Sequence, residues 1–451
     1  YGNNEQIDFG QNGPGVTEIS VDIGKLSAAL SDYTSGARTF VLVLQHSEIV
    51  DAQQHTDNNF FPGMEFQHSP TCNMSDWYER KWYECANQTD AFIFTCEPNR
   101  TGEVLTYSPT FTYHGFRHVQ ITPFEIIDND ESSWQPVSNE EAELILSVTN
   151  ATGLRMHSNV EAVSSVTFGN TYNWPEFDIV KAVFNATLQS HTSQLWSIPT
   201  DCPQREKRGW MADAGVSASS LMYFYDSYAF HVNFLKLIVD NQRKGCTDQP
   251  STTIYGPCVA PSSANVSAAV WFNGSVPDVT PFATGPYGKN PGTTDWQFAF
   301  VFIARAVAIH YDALANPVLL DLWPALELFM HYIDKLIDPE TGLLLSGARG
   351  DWVPPPSQVY KTSPAEVAAF THTLSLFYMH EIATLTDQPD RASYYAKRYQ
   401  DNARAYHAKF FNNATDLRVG TASGVRCCYG VGSQTSNLFA LHISAVPSTY
   451  R

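Results

Sequence analysis

Asp201-Cys202-Pro203-Gln204-Arg205-Glu206-Lys207-Arg208-Gly209-Trp210-Met211-Ala212-Asp213 gathers three carboxylates, three cations and a tryptophan into thirteen residues, between two apolar, helix-like segments. A charged run of this kind is most often a solvated loop. The blend points elsewhere. Carboxylates beside an arginine and an indole are what a sugar site uses: acids for proton transfer, a ring face for stacking, ionic groups for hydroxyls. Glu206 stands between Arg205 and Lys207. Those cations favour its ionised form, and burial would oppose it.

Outward from this stretch the hydrophobic period differs on the two sides. From about Asn173 onward it approaches 3.6. Asn173 is a candidate cap with Pro175 in the first turn, and Ile179, Val180, Val183, Phe184, Leu188 and Leu195 make an apolar stripe. A small-residue helix is expected from near Asp213, and others over about 228–242, 296–313, 317–337, 363–386, 390–411 and 433–446, with Ser363 as a helix cap. Residues 245–294, rich in Pro, Gly, Thr and Asn, read as a long surface loop that could overhang a site. About eight helices without intervening strands suggest an α/α toroid.

Upstream, residues 1–165 read as β. The runs Thr39–Leu44, Ala91–Thr95 and Phe111–Ile121 are rich in aromatic and β-branched residues, and Gly, Pro and Asn punctuate the gaps. The expected fold class is therefore multidomain β plus α: an N-terminal β-sandwich over 1–165, then an (α/α)6 toroid or barrel over 166–451 that these helices leave incomplete. His46 and His114 are read as structural histidines rather than ligands, and the acidic run Asp128–Ser133 as a solvated loop.

The stretch 201–213 resembles the signature of bacterial-type α-L-rhamnosidases, glycoside hydrolase family 78. Its usual form is Asp-Cys-Pro-x-Arg-Asp-Glu-Arg-x-Gly-Trp, with an Asp shortly after. Here Arg205-Glu206-Lys207-Arg208-Gly209-Trp210 is one residue shorter, and the acidic pair has become Glu206 alone. Asp8-Phe9-Gly10-Gln11-Asn12, His46-Ser47-Glu48 and Phe111–Val119 resemble the family's β-sandwich module. Asp295-Trp296, Gly350-Asp351-Trp352-Val353-Pro354 and Cys428–Thr435 resemble its barrel loops.

The resemblance implies hydrolysis of terminal α-L-rhamnosides with inversion. Glu206 would be the general acid, and Asp201, Arg205, Trp210, Asp213, Trp296, Asp351 and Trp352 would hold the sugar. No cofactor and no metal ligand is assigned: the cysteine count alone would allow zinc, but no C-x-x-C spacing supports it. The family's general base is a glutamate beyond the last helix seen here. Glu327, Glu366 and Glu381 read instead as surface or packing residues. The expectation is a chain that ends inside its catalytic domain, with the barrel completed by residues outside this sequence, either on a companion chain produced by cleavage after a basic residue or simply beyond Arg451. Two other readings stay open. One is a glycosidase or polysaccharide lyase acting on another sugar. The other is a catalytically altered carbohydrate-binding or matrix glycoprotein on the same scaffold.

Composition bounds the setting. The chain has 451 residues, enough for two or three domains, and a net charge of −19 that disfavours nucleic acid and anionic membranes as partners. Eight Asn-x-Ser/Thr sequons, at Asn73, Asn87, Asn99, Asn150, Asn185, Asn265, Asn273 and Asn413, suggest glycosylation in a eukaryotic secretory route, ending outside the cell or in a lysosome- or vacuole-like compartment. Any targeting segment is expected to have been removed ahead of Tyr1. Eight cysteines fit an oxidising compartment. Cys246 and Cys258 bracket a loop and are the expected disulfide. Two of Cys72, Cys85 and Cys96 could pair, Cys427 and Cys428 are adjacent, and Cys202 could be a buried thiol.

Overall fold

The computed structural model describes residues 5–30, 36–48, 88–98, 100–127, 134–169, 176–242, 273–281, 291–312, 314, 317–352, 361–412 and 428–447. The chain divides into two compact units. The first comprises residues 1–159, 170–197 and 201–207; the second comprises 160–169, 198–200 and 208–451.

The first unit is built on a seven-stranded antiparallel sheet. Its strands are β1 (Glu5–Asp22), β2 (Arg38–Ser47), β3 (Thr89–Cys96), β4 (Val104–Tyr107), β5 (His114–Ile126), β6 (Trp134–Pro136) and β7 (Thr149–Arg155). Five follow the order β3-β2-β5-β1-β4; β6 adds to β5 and β7 to β1. The apolar run noted in the sequence is β2, which is buried from Phe40 through Leu44 and therefore shows no alternation. Helices α1 (Ile23–Leu30) and α2 (Asn139–Ser147) pack on the sheet. Ile23, Leu26 and Ile145 share a core with Ile19, Leu42, Leu44 and Ile121. A capping box starts α2: the Ser138 hydroxyl accepts from Glu141 N, and the Glu141 carboxylate accepts from Ser138 N. Arg38 joins this helix to the sheet by donating to both Glu125 and Glu141.

Helix α3 (Phe177–Ser193) belongs to the same unit. Gln189 is hydrogen-bonded to the Gln11 side chain and to the Asn12 carbonyl, and Thr192 accepts from Arg155. The predicted apolar stripe keeps Ile179, Val180 and Val183 at the surface of the described residues.

The second unit is helical: α4 (Met211–Phe224), α5 (Tyr228–Asn241), α6 (Thr294–Gln297), α7 (Ala299–His310), α8 (Pro317–Asp334), α9 (Pro364–Leu385), α10 (Pro389–Phe410) and α11 (Gln434–His442). α7 is apolar on nearly every face and runs through the core, with Phe300 and Ile303 fully buried. Phe298, just ahead of it, packs edge-on against Phe329 of α8. Gly215 lets α4 approach α7, because a Cβ there would come 2.7 Å from Ala299 Cβ. α9 and α10 pair as a helical hairpin, and Ser363 caps α9 by accepting from Glu366 N, as its sequence predicts. Residues 274–280, expected in a surface loop, are instead buried. Val276 joins the core and Val279 bridges to Trp210. None of the described helices is long and apolar enough to cross a membrane.

Candidate active site

The signature is split between the units, Asp201–Lys207 in the first and Arg208–Asp213 in the second. In the first unit the loop is organised on Cys202. Its thiol donates to Asp201 Oδ2 at 2.9 Å and accepts from Glu206 N at 3.2 Å, while its carbonyl accepts from Lys207 N. Burial, then the Asp201 charge, pushes this thiol up to about 12, so it stays protonated at neutral pH. Cys202 and Cys96 are free thiols. Glu206 lies 3.6 Å from Arg205 Nη2. The Lys207 ammonium donates to the Tyr113 carbonyl and lies 4.4 Å from the centre of the Tyr113 ring.

The three N-terminal motifs meet around this loop. Asn12 donates to Glu48 at 3.0 Å; burial pushes Glu48 up, and Asn12 and the Arg205 charge oppose that. Gly115 has no room for a side chain, since a Cβ would sit 2.7 Å from Gln204 N. His114 Nε2 lies 3.0 Å from Asp90 Oδ2, and His46 Nδ1 donates to the Gln88 carbonyl, which leaves Nε2 to accept from Thr17. Burial, then His114, pushes His46 down to about 3.

His46, Asp90 and His114 offer ligand atoms within 4.8 Å of one another. A metal lies in the plane of each imidazole that binds it, about 2.0–2.1 Å from the nitrogen. The two rings are stacked, 4.2 Å between centroids and 24° between planes, so both cannot meet that requirement as they stand. The cluster is a hydrogen-bonded one.

In the second unit Trp210 is the N-cap of α4. Gly209 precedes it because a Cβ there would overlap the Thr280 carbonyl, and Asp278 O accepts from Met211 N at the helix start. Trp296, on α6, meets Trp210 edge to face at 4.9 Å, and Trp352 meets Trp296 in the same way at 6.0 Å. The Arg349 guanidinium is shared by all three rings, 4.4 Å from the centre of Trp296, 5.3 Å from Trp352 and 5.8 Å from Trp210. Its Nη2 pairs with Asp278 Oδ2 at 3.0 Å, its backbone N–H donates to Asp295, and its buried Nε makes no hydrogen bond among the described residues. Asp278 is 3% exposed and also accepts from Thr293 N and Oγ1. Burial pushes Asp295 up. Trp352 is 51% exposed, so the cradle opens to solvent at that end. Apolar ring faces beside carboxylates and a guanidinium can bind a polyol: rings cover C–H faces and the ionic groups take hydroxyls.

The structure thus groups Trp210, Trp296 and Trp352 in one unit, with Asp213 in the first turn of α4 and Asp351 beside Trp352, both half-buried. Asp201, Arg205 and Glu206 are grouped in the other. Sequence reasoning missed Arg349 and Asp278. Asp278 stood within the presumed surface loop, and an arginine between small residues carries no local signal. The segment entering α11 seats that helix: Ser433 caps it and Ser436 Oγ donates to the buried Glu366, which Tyr406 also contacts at 3.1 Å. Glu327 pairs with Arg391 and Glu381 with Arg305. Of the sequons, Asn150 and Asn185 are exposed and Asn273 is half-buried. Asn73, Asn87, Asn99, Asn265 and Asn413 lie outside the described residues, as do Cys72, Cys85, Cys246, Cys258, Cys427 and the run 128–133.

Comparison with known proteins places these features in context. A family model, the bacterial alpha-L-rhamnosidase 6 hairpin glycosidase domain, matches residues 176–451. An alpha-L-rhamnosidase of Alteromonas sp. (strain LOR) is 23% identical over 375 residues, 81% of this chain and 33% of that protein. One from Streptomyces avermitilis is 28% identical over 277 residues, 60% of this chain and 20% of that protein. The fold resembles the alpha-L-rhamnosidase structure from Dictyoglumus thermophilum, with a TM-score of 0.66 at 22% identity, covering 99% of this chain and 39% of that one. It also resembles the Streptomyces avermitilis enzyme complexed with L-rhamnose, with a TM-score of 0.62 at 20% identity, covering 99% and 32%. The chain spans about a third or less of the length of these curated relatives.

Proposed function

Because the chain belongs to the bacterial alpha-L-rhamnosidase six-hairpin glycosidase family, we propose that it removes terminal α-L-rhamnose from glycosides or polysaccharides by an inverting acid/base reaction. The observation that carries this reading is the cradle of Trp210, Trp296 and Trp352 around Arg349. Its ring faces suit a 6-deoxy sugar, whose methyl group needs an apolar wall. Glu206 protonates the departing oxygen. Asp201, Arg205, Trp210, Asp213, Trp296, Asp351 and Trp352 hold the sugar. A second carboxylate activates water on the opposite face, and inversion requires the two carboxyls to stand about 6.5–9.5 Å apart. That base comes from a companion segment that completes the barrel. Supporting this, Glu327, Glu366 and Glu381 are each occupied by a structural partner. The eight sequons and eight cysteines support a secreted or vacuole-like setting, with a disulfide between Cys246 and Cys258.

The test is an assay of the purified protein, with any accompanying polypeptide, on an aryl α-L-rhamnoside, following the anomer released by NMR. Glu206→Gln should lower kcat at least about 100-fold, the usual scale of general-acid catalysis. Release of the β anomer from the α-rhamnoside supports inversion. No release of rhamnose, or a Glu206→Gln variant as fast as wild type, overturns the assignment.

A further inference from the structure

We propose that Lys207 is a positioning residue, whose ammonium anchors the Asp201–Lys207 loop, and with it Glu206, to the carbonyl and ring of Tyr113. The role of the loop rests on the reading of Glu206 given above; the anchor itself rests on contacts within the first unit. Lys207 is half-buried and its backbone lies in the left-handed region, φ 55°. A non-glycine residue holds that conformation only where its surroundings enforce it. Two restraints do so here. The backbone N–H donates to the Cys202 carbonyl, and the ammonium donates to the Tyr113 carbonyl while lying over the Tyr113 ring. Tyr113 is itself held, buried and stacked on Trp196 at 3.9 Å between centroids.

The ground on which the loop rests is equally rigid. The strand start after Tyr113 carries His114, bound to Asp90, and Gly115, whose N–H and carbonyl are both engaged by the Gln88 side chain. The Asp90 carboxylate partly offsets the burial that pulls the Lys207 ammonium down. The Asp90 charge therefore helps keep a cation at this place. Without that cation the left-handed turn loses one of its two restraints. Glu206, the preceding residue, loses its fixed direction, and so does the thiol of Cys202 that bonds its backbone.

The experiment uses the same full preparation and two readouts. The first is the rate of Cys202 alkylation by iodoacetamide, mapped by mass spectrometry. A loosened loop exposes the thiol and returns its acidity towards normal, so Lys207→Met should raise this rate at least about tenfold. The second is steady-state kinetics on the aryl rhamnoside. Misplacing a catalytic group by about 1 Å costs on the order of 100-fold, so kcat should fall by that factor with KM nearly unchanged. Lys207→Arg, which keeps the cation, should recover most of both losses. Should Lys207→Met fail to fold, Lys207→Leu makes the same comparison, again without the donor or the charge. Unchanged alkylation in the uncharged variant overturns the anchor whatever the activity. Raised alkylation with unchanged kcat overturns the positioning role. A wild type that releases no rhamnose removes the reading of Glu206 and the catalytic half of this inference, while the alkylation arm still decides the anchor.

Discussion

Arg349 shows how much one side chain can settle that its neighbours in sequence do not announce. It neutralises the buried Asp278 and presents its cation to three indoles. Arg349→Ala would leave Asp278 buried with its ion partner gone. Loss of such a partner costs about 3–5 kcal/mol when both groups are fully buried; with Arg349 partly in solvent, about 2–3 kcal/mol is expected in urea unfolding. Tryptophan emission should change along with it. Arg349→Lys should recover the charge but not the fork that serves Asp278 and the rings together. An unaltered unfolding midpoint in the alanine variant would refute this account. The tryptophans of the cradle were legible in the sequence, because Trp210 and Trp352 stood beside Gly or Asp at predicted connections and Trp296 stood beside Asp295 at a predicted helix start. Arg349 and Asp278 were not: their pairing spans 71 residues, and nothing within either local stretch encodes it.

Helices were legible where period and cap agree. α9 begins at Pro364 with Ser363 capping it, and α5 follows the expected 228–242 closely. The segment 274–280 was not, because its burial comes from contacts made elsewhere. Gln242 donates to the Gly274 carbonyl and Asp278 O takes the first turn of α4, while the segment has only Val276 and Val279 to signal burial. The connection into α11 is a second case. Gly430 has φ 49° and faces Glu366 so closely that a Cβ would overlap the carboxylate. Gly430→Ala should therefore destabilise the second unit by about 1–3 kcal/mol, from backbone strain and overpacking together. Thermal unfolding by calorimetry checks it; a midpoint within error of wild type would contradict the contact.

Across the whole molecule, buried histidines make stability depend on pH. Burial pushes His46 and His372 down to about 3 and His231 to about 4. In the unfolded chain each titrates near the ordinary value of about 6.5. Between these limits the unfolded state binds more protons, so stability is full above about pH 6.5 and falls as the pH drops towards 4. Each histidine contributes about 1 kcal/mol per pH unit in that window. Denaturant titrations at pH 7 and pH 5 should show the loss, and His231→Gln should reduce the slope. The division into a β part and a helical part was visible in the change of hydrophobic period. Helix α3 contacts the β part through Gln189 and Thr192, polar residues whose partners lie far back in the chain. The same long reach governs β1. It pairs with β4, β5 and β7, so residues 5–22 find their last partner only once Arg155 has been made. At typical translation speeds of roughly 5–20 residues per second, that is a wait on the order of ten seconds. Until then Val16, Ile19 and Val21 have no complete sheet to enter, and their apolar side chains stay open to other contacts.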